Sequence, residues 1–452
     1  MAATFGLSAA AQASAATTHS TGTLPDGATW IADVPANWQG TLLLYSHGYG
    51  TLTAADAPDP STQAALLADG YALAGSSYDP NGSLWALGSA VRDQFQTLAT
   101  VERHFLPTRP RQVLAVGTSM GGLISALEDQ HARGRIDAAL TTCGIVAGGI
   151  QLNNYQLDGE YAISKLLAPS QSIKLVRFAN LGDSAASAQQ LATVAQQAQT
   201  TPQGRARLAL AMAFLNVSTW APDEAMPGVY DYPQQEQEQY DDYFVANPAL
   251  LFIETARQQI EQAAGGSGTW NAGVNYARLL ARSSYQPEVR ALYERAGLNL
   301  HDDLATLTGG ANIRADKQAV RWLQQTSVPS GRLQVPELDL HTISDQLVPV
   351  QQERYYAHQV GRAGSRALLR QAFVGRQNHC NFTPAELVAG VQAVQSRLRS
   401  GTWGTVAGPD QLQARATGLG IGDAAFIPFW PERLSGDNGP FDPFTESIRS
   451  GA

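Results

Sequence analysis

The side chains best able to do chemistry together in this chain are a serine, an aspartate and a histidine far apart along it. Residues 117–121 read Gly117-Thr118-Ser119-Met120-Gly121. They are entered from the apolar run Val113-Leu114-Ala115-Val116 and left by Gly122-Leu123-Ile124-Ser125-Ala126-Leu127, which has helical spacing. A strand, a sharp turn of small residues around a serine, and a helix predict a nucleophile elbow. The glycines let the backbone turn without a Cβ clash, so Ser119 can stand exposed in strained geometry at the strand end. The helix that follows points its NH groups and positive end at the serine. A serine needs a base, and the base needs a partner that orients it and stabilises its charged form. Of eight histidines, His379 is the best placed, in Gly375-Arg376-Gln377-Asn378-His379-Cys380 after the last predicted strand of the core. Asp345 follows the preceding strand, in His341-Thr342-Ile343-Ser344-Asp345-Gln346. In a parallel sheet both loops fall on the carboxyl edge, the edge that carries Ser119. Asp339 is the substitute acid, weaker because it sits inside a strand. His341 lies in the same strand and reads as a core residue.

The elements that must hold these residues alternate between strand and helix. Extended segments are predicted at 29–34 and 41–46, the second ending in His47-Gly48-Tyr49-Gly50. A helix over 61–69 leads to a strand within 71–78, a helix over 91–105 leads to the elbow strand, and the elbow helix leads to a strand at 138–142. That alternation predicts an α/β fold with a mostly parallel, doubly wound sheet covered on both faces. From about 150 to 330 the rhythm changes to amphipathic helices, at 205–215, 249–263, 274–282, 288–296 and 317–325. Strands resume at 338–343 and 367–374. A helix over 384–400 then has a firm start, since Thr383, Pro384 and Glu386 form a capping box with proline at the first position, and Gly401 supplies the stop. The organisation expected is a core in two parts, 19–150 and 333–401, interrupted by a helical insertion over 151–332. Beyond it, 402–452 is rich in Gly, Pro and aromatics (Phe426, Phe429, Trp430, Phe441, Phe444) and is expected to lie across the core as irregular structure.

Through the elbow, the His47-Gly48-Tyr49-Gly50 loop and the late Asp345 and His379, the chain resembles the α/β-hydrolase superfamily over roughly residues 39–150 and 333–400. The resemblance implies that Ser119 attacks a carbonyl carbon, that His379 shuttles its proton to the leaving group, and that Asp345 holds the imidazole tautomer. It also implies an oxyanion hole made by the Met120 amide and by the loop at Gly48 and Tyr49, most directly Tyr49, with His47 orienting that loop. It places the helical insertion over the active site as a lid. The two cysteines, Cys143 and Cys380, are the whole inventory. Cys380 is next to His379, and Cys143 follows the strand after the elbow, so both fall at the catalytic edge, as a disulfide or as two free thiols. The His379-Cys380 pair is similar to that of the tannase and fungal-type feruloyl esterases, in which a cysteine beside the histidine bridges to one beside the serine. Here Thr118, not cysteine, precedes Ser119.

Composition bounds the rest. With 452 residues, 44% of them apolar, the chain can bury a large core. A net charge of -9, spread without long runs of one sign, argues against nucleic acid as a partner. No apolar stretch approaches the ~20 residues that cross a bilayer. Lysine occurs only at Lys165, Lys174 and Lys317, a usage that points to a GC-rich bacterial genome. Residues 1–18 are small and apolar, with Ala13-Ser14-Ala15 matching a signal-peptidase site, but no Lys or Arg precedes Arg92. A truncated export leader and a secreted protein are therefore expected. No His, Cys or carboxylate cluster has metal spacing, so neither metal nor cofactor is expected.

In the insertion, Trp220, Tyr230, Tyr232, Tyr240, Tyr243, Phe244, Trp270, Tyr276 and Trp322 could line an acyl pocket, although the core of a helical domain is the stronger expectation. The acids Glu236, Glu238, Asp241 and Asp242 lie in a Gln-rich stretch that reads as a solvated helix face, the alternative being a grip for a substrate amine. The expected function is a secreted serine hydrolase of a small or oligomeric carboxylic ester. The alternatives are a serine aminopeptidase or amidase of the same fold, and a catalytically silent binding scaffold.

Overall fold

Alternate residues of the central strands serve opposite faces of one sheet. In the computed structural model, which describes residues 16–246 and 248–435, Leu42 and Leu44 pack on one side with Phe95, Leu98 and Val101, while Leu43 and Tyr45 pack on the other with Val388 and Val391. Such strands are buried on both faces, which is why they read as unbroken apolar runs. The strands are β1 (Thr17–Thr23), β2 (Thr29–Pro35), β3 (Thr41–Ser46), β4 (Ala72–Ser76), β5 (Gln112–Thr118), β6 (Ala138–Thr142), β7 (Glu337–Ser344), β8 (Leu369–Gln377) and β9 (Phe426–Ile427). Their order across the sheet is β1-β2-β4-β3-β5-β6-β7-β8-β9. From β4 through β8 neighbouring strands run parallel, β2 is antiparallel to β1 and β4, and β9 is antiparallel to β8.

The crossovers of the first part are α1 (Pro60–Ala68), α2 (Ala90–His104) and α3 (Met120–Gln130). Between β6 and β7 the chain builds α4 (Gly148–Leu167), α5 (Leu181–Ala198), α6 (Pro202–Leu215), α7 (Tyr232–Tyr240), α8 (Ala249–Ala264), α9 (Tyr276–Ala281), α10 (Gln286–Arg295), α11 (Leu300–Gly310) and α12 (Lys317–Thr326). This insertion has its own apolar core, centred on Leu157, Leu191, Leu208, Phe214, Tyr276 and Val289. Arg257 of α8 lies fully inside it, bonded to both carboxylate oxygens of Glu160 on α4 and 3.0 Å from Glu254. After β7 come α13 (Gln351–Arg362), α14 (Pro384–Ser400) and α15 (Pro409–Leu419). No described helix is long and apolar enough to cross a membrane.

Two expectations are corrected. The segment after 401 is not wholly irregular, because α15 buries Leu412 and Ala416 one turn apart, starts at Pro409 and ends on left-handed Gly420, while β9 pairs with Phe373 and Val374. The acids of α7 are not a solvated face either. Glu236 is buried on Arg205 of α6 at 2.6 Å, Glu238 is buried and accepts from the Ala221 amide at 3.1 Å, and Asp242 is buried in the π-helical turn Asp241–Ala246. The partners of Glu236 and Glu238 come from other helices and loops, whereas neither carboxylate oxygen of Asp242 has a hydrogen-bond partner. The segment expected to be an export leader lies outside the described residues up to residue 15, as do Phe441 and Phe444 of the tail; Thr17 and Thr18 belong to β1.

Burial of acids sets a pH dependence. Burial pushes Asp129 up to about 7, Glu236 up to about 7 and Asp242 up to about 8, from ordinary values of 3.8, 4.5 and 3.8. Between the ordinary and the raised values the folded chain holds protons that the unfolded chain has lost, so stability falls as pH rises, by about 1.4 kcal/mol per pH unit for each group. The melting temperature is expected to be higher near pH 5 than near pH 8. Thermal unfolding across that range checks it, and a flat or rising melting temperature contradicts it.

Candidate active site

β5 delivers Ser119 to the carboxyl edge of the sheet, and α3 starts at the next residue. Ser119 has φ 61° and ψ -119°, a region that costs a non-glycine residue roughly 1–3 kcal/mol and persists only where the surroundings impose it. Those surroundings are specific. A Cβ on Gly121 would lie 1.8 Å from the Ser46 carbonyl oxygen, so only glycine lets α3 begin so close to β3. Tyr78, Cys143, Asn378 and Cys380 also have positive φ, which gathers backbone strain around one spot.

There the structure brings together the three residues expected from the sequence. Ser119 Oγ lies 2.8 Å from His379 Nε2, and His379 Nδ1 lies 2.7 Å from Asp345 Oδ2. The carboxylate beside Nδ1 assigns the ring proton to that nitrogen, which leaves Nε2 as the acceptor of the serine proton. Asp345 is buried, and its Oδ1 accepts from the amides of Leu347 at 3.0 Å and Val348 at 2.8 Å. Burial alone would raise its carboxyl. The His379 ring and its hydrogen bond, His341 and the Val348 amide outweigh that and hold it below the ordinary value. Asp339 stays inside β7, hydrogen-bonded to Thr141 and, at 3.3 Å, to Gln371, and it does not reach His379. His341 is fully buried, with Nδ1 2.8 Å from the Thr342 carbonyl.

The expected oxyanion donors flank the serine. Met120 opens α3, so its amide has no acceptor within the helix. A Cβ on Gly48 would lie 3.3 Å from Ser119 Cβ, which puts the loop of Gly48 and Tyr49 directly against the nucleophile. His47 fixes that loop: its Nδ1 is 2.8 Å from the Gly48 carbonyl, and its ring stacks on Tyr78 with centroids 4.3 Å apart. Tyr78 in turn donates to the His47 carbonyl at 3.1 Å. Burial holds the His47 ring below its ordinary value, which favours the neutral form.

Cys143 and Cys380 are joined in a disulfide, with Cα atoms 5.3 Å apart and a sequence separation of 237. It ties the His379 loop to the end of β6. On the loop-entropy account, closing so long a segment contributes up to about 5 kcal/mol. Reduction, or Cys143→Ser, is therefore expected to lower both the melting temperature and kcat. Paired thermal unfolding and activity measurements with and without reductant check it, and full retention of both contradicts it. With their sulfurs bonded to each other, these cysteines and His379 offer no thiolate set to a metal.

Above Ser119 a pocket is walled by Tyr49, Trp85, Leu152, Phe252, Ile260 and Leu347. Helices α4 and α8 of the insertion supply Leu152, Phe252 and Ile260, so the insertion roofs the serine. None of the nine insertion aromatics singled out from the sequence lines this pocket, and Tyr243 and Tyr276 are buried in the insertion core instead. Trp85 and Phe252 were missed. Trp85 had a usable signal, since it follows β4 on the catalytic edge, whereas Phe252 had none beyond its place on an amphipathic helix.

The parallel sheet with Ser119, His379 and Asp345 on its carboxyl edge has the architecture of an α/β-hydrolase fold. Over 435 residues the chain is 27% identical to an o-phthalyl amidase of Xanthobacter agilis, a match covering 90% of this chain and 93% of that protein. Among solved structures, a brefeldin A esterase described as a bacterial homologue of human hormone sensitive lipase aligns at 14% identity with a TM-score of 0.38, covering 92% of this chain and 81% of its own. Feruloyl esterase B from Aspergillus oryzae aligns at 13% identity with a TM-score of 0.42, covering 83% and 80%. No protein-family model matches the chain.

Proposed function

We propose that the protein cleaves a carboxylic amide or ester of an apolar, aromatic acyl group through an acyl-enzyme on Ser119. The observation that carries this is the run of short contacts from Ser119 Oγ through His379 to Asp345. In the reaction, Ser119 Oγ bonds to the carbonyl carbon while His379 Nε2 takes its proton, and the negative oxygen rests on the amides of Met120 and of the Gly48 and Tyr49 loop. Collapse of that intermediate passes the proton from Nε2 to the departing nitrogen or oxygen. Water then repeats the sequence and frees Ser119. Each oxyanion donor is worth about 2.7 to 4 kcal/mol in such chemistry.

The aromatic and aliphatic walls of the pocket support an aromatic acyl group. The likeness to an o-phthalyl amidase supports the amide bond beside the ester expected from the sequence. None of Glu236, Glu238, Asp241 and Asp242 lines the pocket, which favours an acyl-pocket reading over an aminopeptidase grip on a substrate amine. The insertion serves as the lid in this reading. Export to an oxidising compartment is supported by the small, apolar first residues and by the disulfide.

The test is a panel of benzoyl and phthaloyl p-nitroanilides, p-nitrophenyl benzoate and p-nitrophenyl acetate, run on wild type and Ser119→Ala. Aromatic acyl groups should be preferred, and every activity should vanish in the variant. Preference for acetyl over benzoyl contradicts the acyl pocket, and activity surviving in Ser119→Ala contradicts the mechanism.

A further inference from the structure

Three atoms with affinity for soft metal ions meet at the reaction centre. Cys143 Sγ, Cys380 Sγ and a ring nitrogen of His379 all lie within 4.8 Å of one another. Cys380 Sγ is 3.3 Å from His379 Nε2, and Ser119 Oγ is 2.8 Å from the same nitrogen. A tetrahedral zinc ion holds sulfur at about 2.3 Å and imidazole nitrogen at about 2.0–2.1 Å, which sets neighbouring ligand atoms about 3.6–3.8 Å apart. The nitrogen and the Cys380 sulfur are already near that spacing. The two sulfurs are closer only because they are bonded to each other.

The surroundings are those of a metal site. His379 Nδ1 is held by Asp345 Oδ2 at 2.7 Å, the carboxylate–histidine pairing that fixes the tautomer and leaves the Nε2 lone pair for a metal. Bonds other than the disulfide keep the cysteines in place. The Cys143 amide donates to the Leu340 carbonyl at 2.8 Å, the Thr342 hydroxyl to the Asn378 carbonyl at 3.0 Å, and the Phe382 amide to the Cys380 carbonyl at 2.8 Å. Cys143 is fully buried, whereas Cys380 lines a surface groove together with Gly48 and Phe382, so a reductant reaches the bond at Cys380.

We propose that reduction of this disulfide creates a zinc site of Cys143, Cys380 and His379, and that the bound metal switches the enzyme off. A thiol reductant gives two electrons and two protons to the Cys143–Cys380 bond and is itself oxidised to a disulfide. Zinc then displaces both protons from the cysteine sulfurs and takes the Nε2 lone pair, with water in the fourth position. An Nε2 bound to zinc cannot accept the Ser119 proton, so metal and acylation exclude each other. The metal site stands on the geometry; its effect on activity rests on the acyl-enzyme reading above. The disulfide thus keeps the base free of metal as well as holding its loop.

The experiment reduces the full chain with a water-soluble phosphine, which takes oxygen from water to become its oxide, and titrates the protein anaerobically with cobalt or zinc. Near-UV circular dichroism should show that the reduced chain stays folded, and loss of that signal overturns the proposal. Cobalt should give the visible bands of a tetrahedral, thiolate-bound ion with an endpoint of one equivalent, in the reduced protein only. Bands that are missing, or that persist in Cys380→Ser, overturn the site. His379→Ala should shift the bands, and Asp345→Asn should weaken zinc binding by roughly ten- to a hundredfold. Indifference to both substitutions overturns His379 as a ligand. Hydrolysis by the reduced protein should fall in step with zinc occupancy and recover on chelation, while the oxidised protein keeps its rate. Equal inhibition of the two forms overturns the proposal. His379-dependent cobalt bands together with undiminished hydrolysis by the zinc-loaded protein leave the site standing and overturn the acyl-enzyme reading itself.

Discussion

Replacing Ser119 with alanine is expected to lower kcat/KM by roughly a millionfold while leaving the melting temperature unchanged. The substitution removes one oxygen atom and keeps the Cβ, so the strained turn at φ 61° and the packing of Gly121 on Ser46 are not altered. Thr118, the nearest hydroxyl in sequence, cannot take over. Its oxygen faces Thr142 at 3.0 Å, and no bond links it to His379. The loss is thus confined to the nucleophile, and paired kinetics and thermal unfolding measure it. Residual activity of a few percent would mean that another group is acylated.

Asp345→Asn is expected to cost about ten-thousandfold in kcat. Asp345 Oδ1 is committed to the Leu347 and Val348 amides, so Oδ2 is the oxygen left for His379 Nδ1. An asparagine keeps its oxygen on the two amide donors and turns its NH2 toward the ring. Nδ1 then becomes an acceptor, the proton moves to Nε2, and Nε2 can no longer take the serine proton. Asp339→Asn is the control. It sits inside β7 among Thr141 and Gln371, so it should change stability far more than kcat. Equal losses of kcat in the two variants contradict the assignment of Asp345.

Much of this site was readable before any coordinates because its parts are punctuated locally. β3, β6 and α14 begin and end at the expected residues. β3 is built on the apolar run Leu42–Tyr45 and β6 on Ala138–Leu140, and the Thr383 and Glu386 side chains cap α14 reciprocally, with left-handed Gly401 closing it. Given those strands, a parallel sheet leaves Ser119, Asp345 and His379 on one edge. What stayed hidden depends on contacts between distant segments. The acids of α7 look solvated in a Gln-rich stretch until Arg205 of α6 folds against Glu236. Phe252 reads as one more apolar residue of α8 until the insertion closes over Ser119. α15 escaped notice because its buried stripe is little more than Leu412 and Ala416.

The most direct test of the central claim is covalent. A fluorophosphonate mimics the acyl group and traps an activated serine, and digestion with mass analysis locates the adduct. The account predicts stoichiometric modification at Ser119, loss of all activity in step with it, and little labelling in His379→Ala, where nothing draws the proton from Oγ. An adduct on any other residue, or full inhibition with Ser119 unmodified, would contradict it.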